Sequence, residues 1–431
     1  MLALAEKGIL PKSKELSKTS KKGEPINSML ITAVIVFIGI SLRDLNTIAP
    51  ILTMFFMITY AMVNIVVLVE QSLSLPSYRP TLKVPMLIPA LGAFGSIAIM
   101  FVINVIVALT SLILIFIFYF YLVNLKLKSE VGDSRSGLFT SLVEWATKKS
   151  SNLSPQKEVR SWRPDLLIPM TMPKEIRSSY KLIHSIIHPN GSIKILSLIH
   201  ENAEEQKNIE LFLKNAAQKY KESGISVSYA FVENRELNTT INISMQSLNA
   251  AFFKPNIIFV SLDIGNVNLK FYENLISDVK KNNFGMIIYI PFSTASLAIE
   301  KNINLWLTDV PSNWKETFNL GNNDLSTLIS LLMCKNWKGE IEAHIVNNNP
   351  NSIFSQTDIN DIKTMVRFPK KTKIDVKQGS LLYNVKNYRN ADVNIFSVDA
   401  DMLTTDMIKL VNESRISAIF CVDSNMENVL V

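Results

Sequence analysis

Two long runs without charged residues dominate the first third of the chain. No Asp, Glu, Lys or Arg occurs between Leu45 and Val69, or between Val84 and Leu125. A helix needs about 20 apolar residues to cross the hydrocarbon core of a bilayer, where exposed backbone finds no hydrogen-bond partner. The first run therefore predicts one membrane-spanning helix, and the second predicts two that meet at Asn104.

A shorter uncharged run precedes these two. It extends from Pro25 to Leu42, and Pro25 suits the first position of a helix. The pattern favours a further membrane helix, with a buried or interfacial helix as the alternative. We therefore predict a membrane α-helical bundle that follows a polar loop over 1–24. Its four spans are expected at about 25–42, 45–69, 84–103 and 105–125.

The segment after the last span has a different character. Leu138, Leu142 and Trp145 follow one another at i, i+4 and i+7, which predicts an amphipathic helix over 138–149. Such a helix lies on the bilayer surface or packs against a second protomer. Residues 150–163 are polar and predict a linker, so that 126–163 joins the bundle to the rest of the chain.

The remainder of the chain, 164–431, alternates apolar runs with amphipathic patterns. This alternation predicts an α/β domain with a mostly parallel sheet covered on both faces. Strands are predicted at 166–169, 193–199, 227–232, 257–261, 286–290, 340–346, 393–398 and 418–422. Helices are predicted at 201–223, 271–281, 325–335, 357–367 and 402–414. The order of these elements suggests two consecutive units divided near 307–321.

Composition and charge support a membrane protein and give its orientation. The 431 residues are 48% hydrophobic and 19% charged, which excludes a disordered chain or a collagen. Basic residues occur in 1–27, 70–83 and 126–128, and such residues mark the inner side of a membrane. We expect a multi-pass protein of the cell (inner) membrane, in contact with the lipid bilayer, with its α/β domain in the cytoplasm. Clustering at the membrane boundary argues against nucleic acid as a partner.

Two polar residues inside the predicted spans are candidates for function. Tyr60 and Asn64 are four residues apart and share one helix face. They predict either the lining of a substrate path or hydrogen bonds between helices, which asparagine often makes in membranes. Gly92 and Gly95 would allow another helix to approach closely. The absence of charged residues in the spans argues against a proton relay.

The polar half shows no pattern typical of an enzyme. It contains neither a G-x-G-x-x-G motif nor a phosphate-binding loop. His184 and His188 have the i, i+4 spacing of two metal ligands, but Pro189 follows directly, and two surface or half-buried histidines are favoured. Asp399 and Asp401 follow a predicted strand, where a loop or capping role is favoured over a ligand site. We expect no catalytic residue, no metal and no cofactor.

Short segments in a fixed order resemble a known family. They include Lys22-Gly23-Glu24-Pro25, Leu45-Asn46-Thr47-Ile48-Ala49-Pro50-Ile51, Ser77-Tyr78-Arg79-Pro80 and Arg163-Pro164-Asp165-Leu166-Leu167. Together they resemble the cation-chloride cotransporter family of the amino acid–polyamine–organocation superfamily, from about the ninth membrane helix onward. The resemblance implies part of a LeuT-like permease bundle, followed by a cytoplasmic domain like a universal stress protein.

The resemblance also implies a function and a partner. Family members carry inorganic cations with chloride as secondary active transporters and commonly form homodimers. Their ion ligands lie on helices that this sequence does not match, so the ion-binding residues are unknown and the chain by itself should not transport. It would supply scaffold helices, a dimer interface and a regulatory domain. The alternatives are an amino-acid permease of the same superfamily and a stand-alone membrane-anchored interaction protein.

Overall fold

The computed structural model describes two compact units, Met1–Ser154 and Pro155–Val431. The residues it describes are 2–6, 13–20, 24–41, 45–73, 84–124, 143, 146–147, 162–199, 203–233, 236–251, 254–265, 268–292, 297, 299–311, 313–347, 354–388, 391–398, 402–424 and 426–430. Each unit has its own core, and each is described by itself.

The first unit is helical. Its helices are α1 (Leu2–Glu6), α2 (Ser13–Leu16), α3 (Ile26–Ser41), α4 (Leu45–Leu73), α5 (Leu87–Ile103) and α6 (Val105–Asn124). Met54, Ile58, Met100 and Ala108 form a small buried cluster among α4, α5 and α6. The four long helices lie at the four predicted spans.

The predicted junction at Asn104 is confirmed. Asn104 has an extended backbone between α5 and α6, and its side-chain Oδ1 accepts hydrogen bonds from the N–H groups of Ile106 and Val107 at 3.0 and 3.1 Å. It therefore ends one helix and caps the next. Within the described residues, one helical segment, Ile48–Gln71, is long and apolar enough to cross a membrane. Ile26–Ser41, Leu87–Ile103 and Val105–Tyr121 are shorter apolar helices.

The second unit alternates strands and helices. The strands are β1 (Asp165–Met170), β2 (Ser192–Ile199), β3 (Ser226–Glu233), β4 (Ile257–Ser261), β5 (Gly285–Ile290), β6 (Asn302–Thr308), β7 (Glu340–Asn347), β8 (Lys373–Gln378), β9 (Val393–Ser397) and β10 (Ala418–Val422). The helices are α7 (Pro173–Ile187), α8 (Ala203–Glu222), α9 (Leu237–Leu248), α10 (Leu269–Lys281), α11 (Trp314–Thr317), α12 (Asp324–Trp337), α13 (Gln356–Met365), α14 (Leu381–Asn387) and α15 (Thr404–Ser414).

These strands form one sheet with an internal symmetry. Its order is β3-β2-β1-β4-β5-β10-β9-β6-β7-β8, so the second half repeats the first in mirror order. Every pairing is parallel except that of β5 with β10, which is antiparallel. The halves are thus related by an approximate two-fold axis between β5 and β10. The predicted mostly parallel sheet is confirmed.

Helices cover both faces of this sheet. Apolar side chains of α7, α8, α12 and α13 pack on one face, and those of α9, α10, α14 and α15 on the other. On the first face α7 and α12, which occupy equivalent positions in the two halves, pack directly against each other. Both apolar clusters contain residues from the two halves, so the halves share one core.

The structure departs from the sequence analysis in several elements and in the division between the halves. Helices α7, α9, α11 and α14 were not among the predicted helices. Strands β6 and β8 were not predicted, because Asn302 and Asn304 interrupt the apolar pattern of β6 and lysines alternate along β8. Since β6 is the first strand of the second half, the chain passes between halves over 291–301. The structure therefore places the division upstream of the predicted 307–321.

Candidate functional site

The candidate pair in the helical unit makes one contact between helices. Asn64 donates a hydrogen bond from Nδ2 to the carbonyl oxygen of Tyr60 at 2.9 Å, one turn earlier on α4. Its side chain also lies against Gly92 of α5. The side chain of Tyr60 is 56% exposed. The structure thus places Asn64 between α4 and α5 and directs Tyr60 outward, and the path-lining role of both stays a prediction.

The two candidate glycines on α5 differ in their surroundings. A methyl group on Gly92 would lie 2.8 Å from Cγ and Oδ1 of Asn64, whereas one on Gly95 would meet no atom within 4 Å. Asn64 and Gly92 therefore permit the close approach of α4 and α5. Gly95 takes no part in that contact.

In the α/β unit, His184 and His188 lie in a groove between α7 and α12. The groove has a volume of about 550 Å³, and its wall includes Tyr180, Lys335, Trp337 and Lys338. The two imidazole rings stack with 5.2 Å between their centroids. Both histidines are half-buried, as the sequence analysis favoured. We call this feature the α7–α12 groove.

Hydrogen bonds fix the floor of the α7–α12 groove. Asn336 donates from Nδ2 to the carbonyl oxygens of Ser185 and His188, at 2.7 and 2.8 Å. The indole N–H of Trp337 donates to Oγ of Ser185 at 2.8 Å. These bonds join the C-terminal ends of two helices that are about 150 residues apart in sequence. The groove wall therefore belongs to both halves of the domain.

The charges in the α7–α12 groove are mostly positive. Lys181 pairs with Glu300 at 2.7 Å, while Lys335 and Lys338 form no ion pair with any described residue. Burial, together with the neighbouring charge of His188, lowers the pKa of His184 below its usual value. Basic side chains of both helices therefore line the same groove.

A second polar cluster lies under the N-terminus of α12. Asp324 accepts a hydrogen bond at Oδ1 from the backbone N–H of Val429 (2.9 Å), and Asp423 accepts one at Oδ2 from the backbone N–H of Leu325 (3.3 Å). Glu427 lies nearby and is also buried. Burial and the charge of Glu427 raise the pKa of Asp324 to about 6. These carboxylates attach residues 423–430 to the start of α12.

A third group of buried polar side chains lies on strands β6, β7 and β9 in the second half of the sheet. Asn304 pairs in register with Glu342 on one side and Asn394 on the other. The Nδ2 atoms of both asparagines, and both ring nitrogens of His344, have no hydrogen-bond partner among the described residues. At the equivalent place in the first half, Leu167 lies between Lys194 and Ile258. The fold itself therefore does not require amides there.

No group of three or more His, Cys, Asp and Glu side chains suited to a metal ion occurs in the described ranges. Asp399 and Asp401 lie outside the described residues. So does most of the predicted amphipathic helix at 138–149, of which only Val143, Ala146 and Thr147 are described. The orphaned amides, the buried carboxylates and the groove wall were not among the sequence-predicted sites.

Comparison with known proteins identifies the second unit by family. The model "Prokaryotic cation-chloride cotransporter, C-terminal domain, 1st" matches residues 168–297, and the corresponding model for the second domain matches 299–430. The chain belongs to the prokaryotic cation-chloride cotransporter family. The two domain models meet at residue 298, within the passage from β5 to β6. The amino acid permease model matches residues 1–143 of this cotransporter chain.

One solved structure shows the fold of the second unit, and two others are more distantly similar. The cytoplasmic domain of a prokaryotic cation chloride cotransporter is 24% identical, with a TM-score of 0.53 over 62% of this chain and 99% of that one. A universal stress protein from Archaeoglobus fulgidus is 12% identical, with a TM-score of 0.41 over 61% of this chain and 97% of its own. A universal stress protein from Pseudomonas aeruginosa is 13% identical, with a TM-score of 0.41 over 62% and 96%.

Proposed function

We propose that this chain is the C-terminal part of a secondary active transporter that moves inorganic cations together with chloride across the cell membrane. The observation that carries the proposal is the order of the matches within one chain. An amino acid permease match over 1–143 precedes both C-terminal domains of the prokaryotic cotransporters, over 168–297 and 299–430. In this proposal α3–α6 are scaffold helices, and the ions bind to residues elsewhere in the transporter.

The surface of the helical unit supports a membrane location. Phe37, Phe94, Val102 and Ile106 are each more than 70% exposed on α3, α5 and α6. Burial of apolar surface is worth about 25 cal/mol per Å², so such side chains favour lipid or other membrane helices over water. We extend the proposal to four spans, with α3, α5 and α6 crossing beside α4.

The distribution of lysines supports a cytoplasmic α/β domain. Four spans place residues 1–27, 70–83 and everything beyond 126 on one side, and that side carries most of the basic residues near the spans. Cys334 and Cys421 are both buried and unpaired, as suits a reducing compartment. We assign this domain a regulatory role, and the segment 138–149 a role in a homodimer.

Cysteine labelling in membrane vesicles tests the topology. The native cysteines are buried, so an impermeant maleimide should report on introduced cysteines alone. We expect Asp44→Cys to react in right-side-out vesicles, which expose the outer face of the membrane. Ser77→Cys should react only in inverted vesicles, which expose the cytoplasmic face. Reaction of both from the same side would contradict four spans. Disulfide cross-linking of cysteines introduced along 138–149 tests the homodimer, and monomeric products at every position would contradict it.

Uptake measurements separate the alternatives. Vesicles containing the transporter polypeptide that carries this chain should accumulate rubidium or sodium ions only when chloride is present. Chloride-independent uptake of amino acids would instead support the amino-acid permease. A correctly inserted protein that transports neither would support the membrane-anchored interaction protein.

A further inference from the structure

The α7–α12 groove gathers more positive charge than its own acidic groups compensate. His184 and His188 come from α7, and Lys335 and Lys338 from the end of α12. Among the described residues of its wall, the one acidic side chain is Glu300, which already pairs with Lys181. Lys219 lies next to this group, with Nζ 4.5 Å from the ring centroid of Tyr180. Positive side chains therefore outnumber acidic ones around this groove, which favours a bound anion.

The helix ends do not account for this charge. Cations near a helix C-terminus are favourable, and Lys335 lies in the last turn of α12. However, the last carbonyl groups of α7 already accept hydrogen bonds from Asn336. Those of α12 at Cys334 and Lys335 accept from the backbone N–H of Lys338. The lysine and imidazole groups are therefore not needed as caps.

The donor set points to an anion and not to a metal ion. Lysine offers only hydrogen-bond donors, and an imidazolium offers two. Two lysines beside two imidazoles would repel a divalent cation, and the described residues supply no third ligand. A phosphate group carries a charge of about −1.5 to −2 and three acceptor oxygens, and lysine is a common partner for it.

We propose that the α7–α12 groove binds a small anion that carries phosphate groups, held by His184, His188, Lys335 and Lys338. The rings of Tyr180 and Trp337 line the same cavity of about 550 Å³, which leaves room for an organic part. Because α7 and α12 belong to different halves, the bound anion would join them. The phosphate group is free in solution or part of a lipid headgroup.

Binding should be coupled to protonation. Without the anion, burial and the neighbouring charge of His188 lower the pKa of His184. A bound phosphate group favours the charged form of His184, so the complex takes up protons. Lys181, Glu300, Lys335, Lys338 and Lys219 are the other charged groups facing the pair. Binding should therefore strengthen as the pH falls.

Calorimetric titration of the full chain in nanodiscs of zwitterionic lipid tests the proposal. Pyrophosphate should bind with one-to-one stoichiometry, about tenfold more tightly at pH 6 than at pH 8. Titrations in buffers of different ionisation enthalpy should show proton uptake near pH 7. H184N/H188N should lose the proton uptake. K335Q/K338Q should weaken binding at least tenfold but retain the proton uptake.

A matched pair of lysines outside the groove controls for nonspecific electrostatic attraction of the anion. Lys280 and Lys281 also close a helix, α10, away from this groove, and K280Q/K281Q should leave binding unchanged. Equal weakening by that variant, or binding unaffected by H184N/H188N and K335Q/K338Q, would overturn the proposal. Absence of binding both to pyrophosphate and to nanodiscs containing phosphatidic acid would also overturn it. Groove-dependent binding with phosphatidic acid alone would identify a lipid headgroup, and binding of pyrophosphate a free phosphate compound.

Discussion

The side chain of Asn64 lies against the backbone of Gly92, and this contact sets how closely α4 and α5 approach. The amide of Asn64 is held there by its hydrogen bond to the carbonyl oxygen of Tyr60. Polar side chains of membrane helices often stabilise such contacts, although each contributes modestly. Asn64 and Gly92 are 28 positions apart in sequence, and their proximity follows from the pairing of two helices.

Gly92→Ala should weaken the packing of α4 on α5. The added methyl group would displace Asn64 or separate the helices, at a cost of about 1 kcal/mol. Thermal unfolding of the protein in detergent, followed by a reporter in the helical unit, measures the loss. In the double variant, Asn64→Ala should restore most of the lost stability, because this substitution removes the side chain that collides with the added methyl group. Gly95→Ala is the control and should be nearly neutral; an equal loss there would contradict this explanation.

Asn304→Leu should stabilise the α/β unit. The variant removes a buried amide nitrogen without a partner and introduces the residue found at the equivalent position of the first half, Leu167. An unsatisfied buried polar group costs about 1–3 kcal/mol, so the free energy of unfolding in urea should rise by a similar amount. Leu167→Asn, the reverse exchange, should destabilise. If Asn304→Leu lowers stability instead, the amide has a structural partner.

Asp324→Asn should remove a pH dependence of stability. Burial raises the pKa of Asp324 from 3.8 to about 6, so the folded state favours the protonated carboxyl group. The contribution of Asp324 to the free energy of unfolding is complete below about pH 4. It is lost as the pH rises through 6, a difference of about 3 kcal/mol. Asparagine keeps the acceptor for Val429 and cannot ionise. The variant should therefore be more stable than the parent at pH 7.5 and equally stable at pH 4.

The difference between the two proteins is the quantity to measure. Burial lowers the pKa of His344 to about 4. The contribution of His344 to the free energy of unfolding is therefore complete above pH 6.5 and is lost as the pH falls towards 4. This opposite effect is present in both proteins and cancels in the difference. Asp358→Asn is a control of opposite sign, because Lys315 lowers the pKa of Asp358 to about 2. A constant difference between Asp324→Asn and the parent from pH 4 to 7.5 would contradict the prediction.

Asn336→Ala should loosen the junction between α7 and α12. It leaves the carbonyl oxygens of Ser185 and His188 without their donor, which costs about 1–3 kcal/mol for groups shielded from water. The free energy of unfolding of the α/β unit measures the loss. Asn387 donates an exposed hydrogen bond to the carbonyl oxygen of Tyr383, one turn earlier on α14, and Asn387→Ala should have a much smaller effect. Equal effects would show that the junction does not depend on Asn336.

The sequence by itself determined the local elements of this protein. Uncharged runs located α3–α6, because lipid and buried cores both exclude charge, and Asn104 marked a helix end through its own capping side chain. Apolar runs between amphipathic segments also identified the parallel strands. The pattern missed β6 and β8, whose asparagines and lysines do not form apolar runs.

Only the tertiary structure decided what those elements form together. The antiparallel pairing of β5 with β10 joins two equivalent halves, and no local pattern encodes a partner about 130 residues away. That pairing also brings α7 beside α12 and so creates the α7–α12 groove. His184 and His188 were visible as a spaced pair, but Lys335 and Lys338 joined them only through folding. A site built from distant segments follows from packing, which depends on the whole chain.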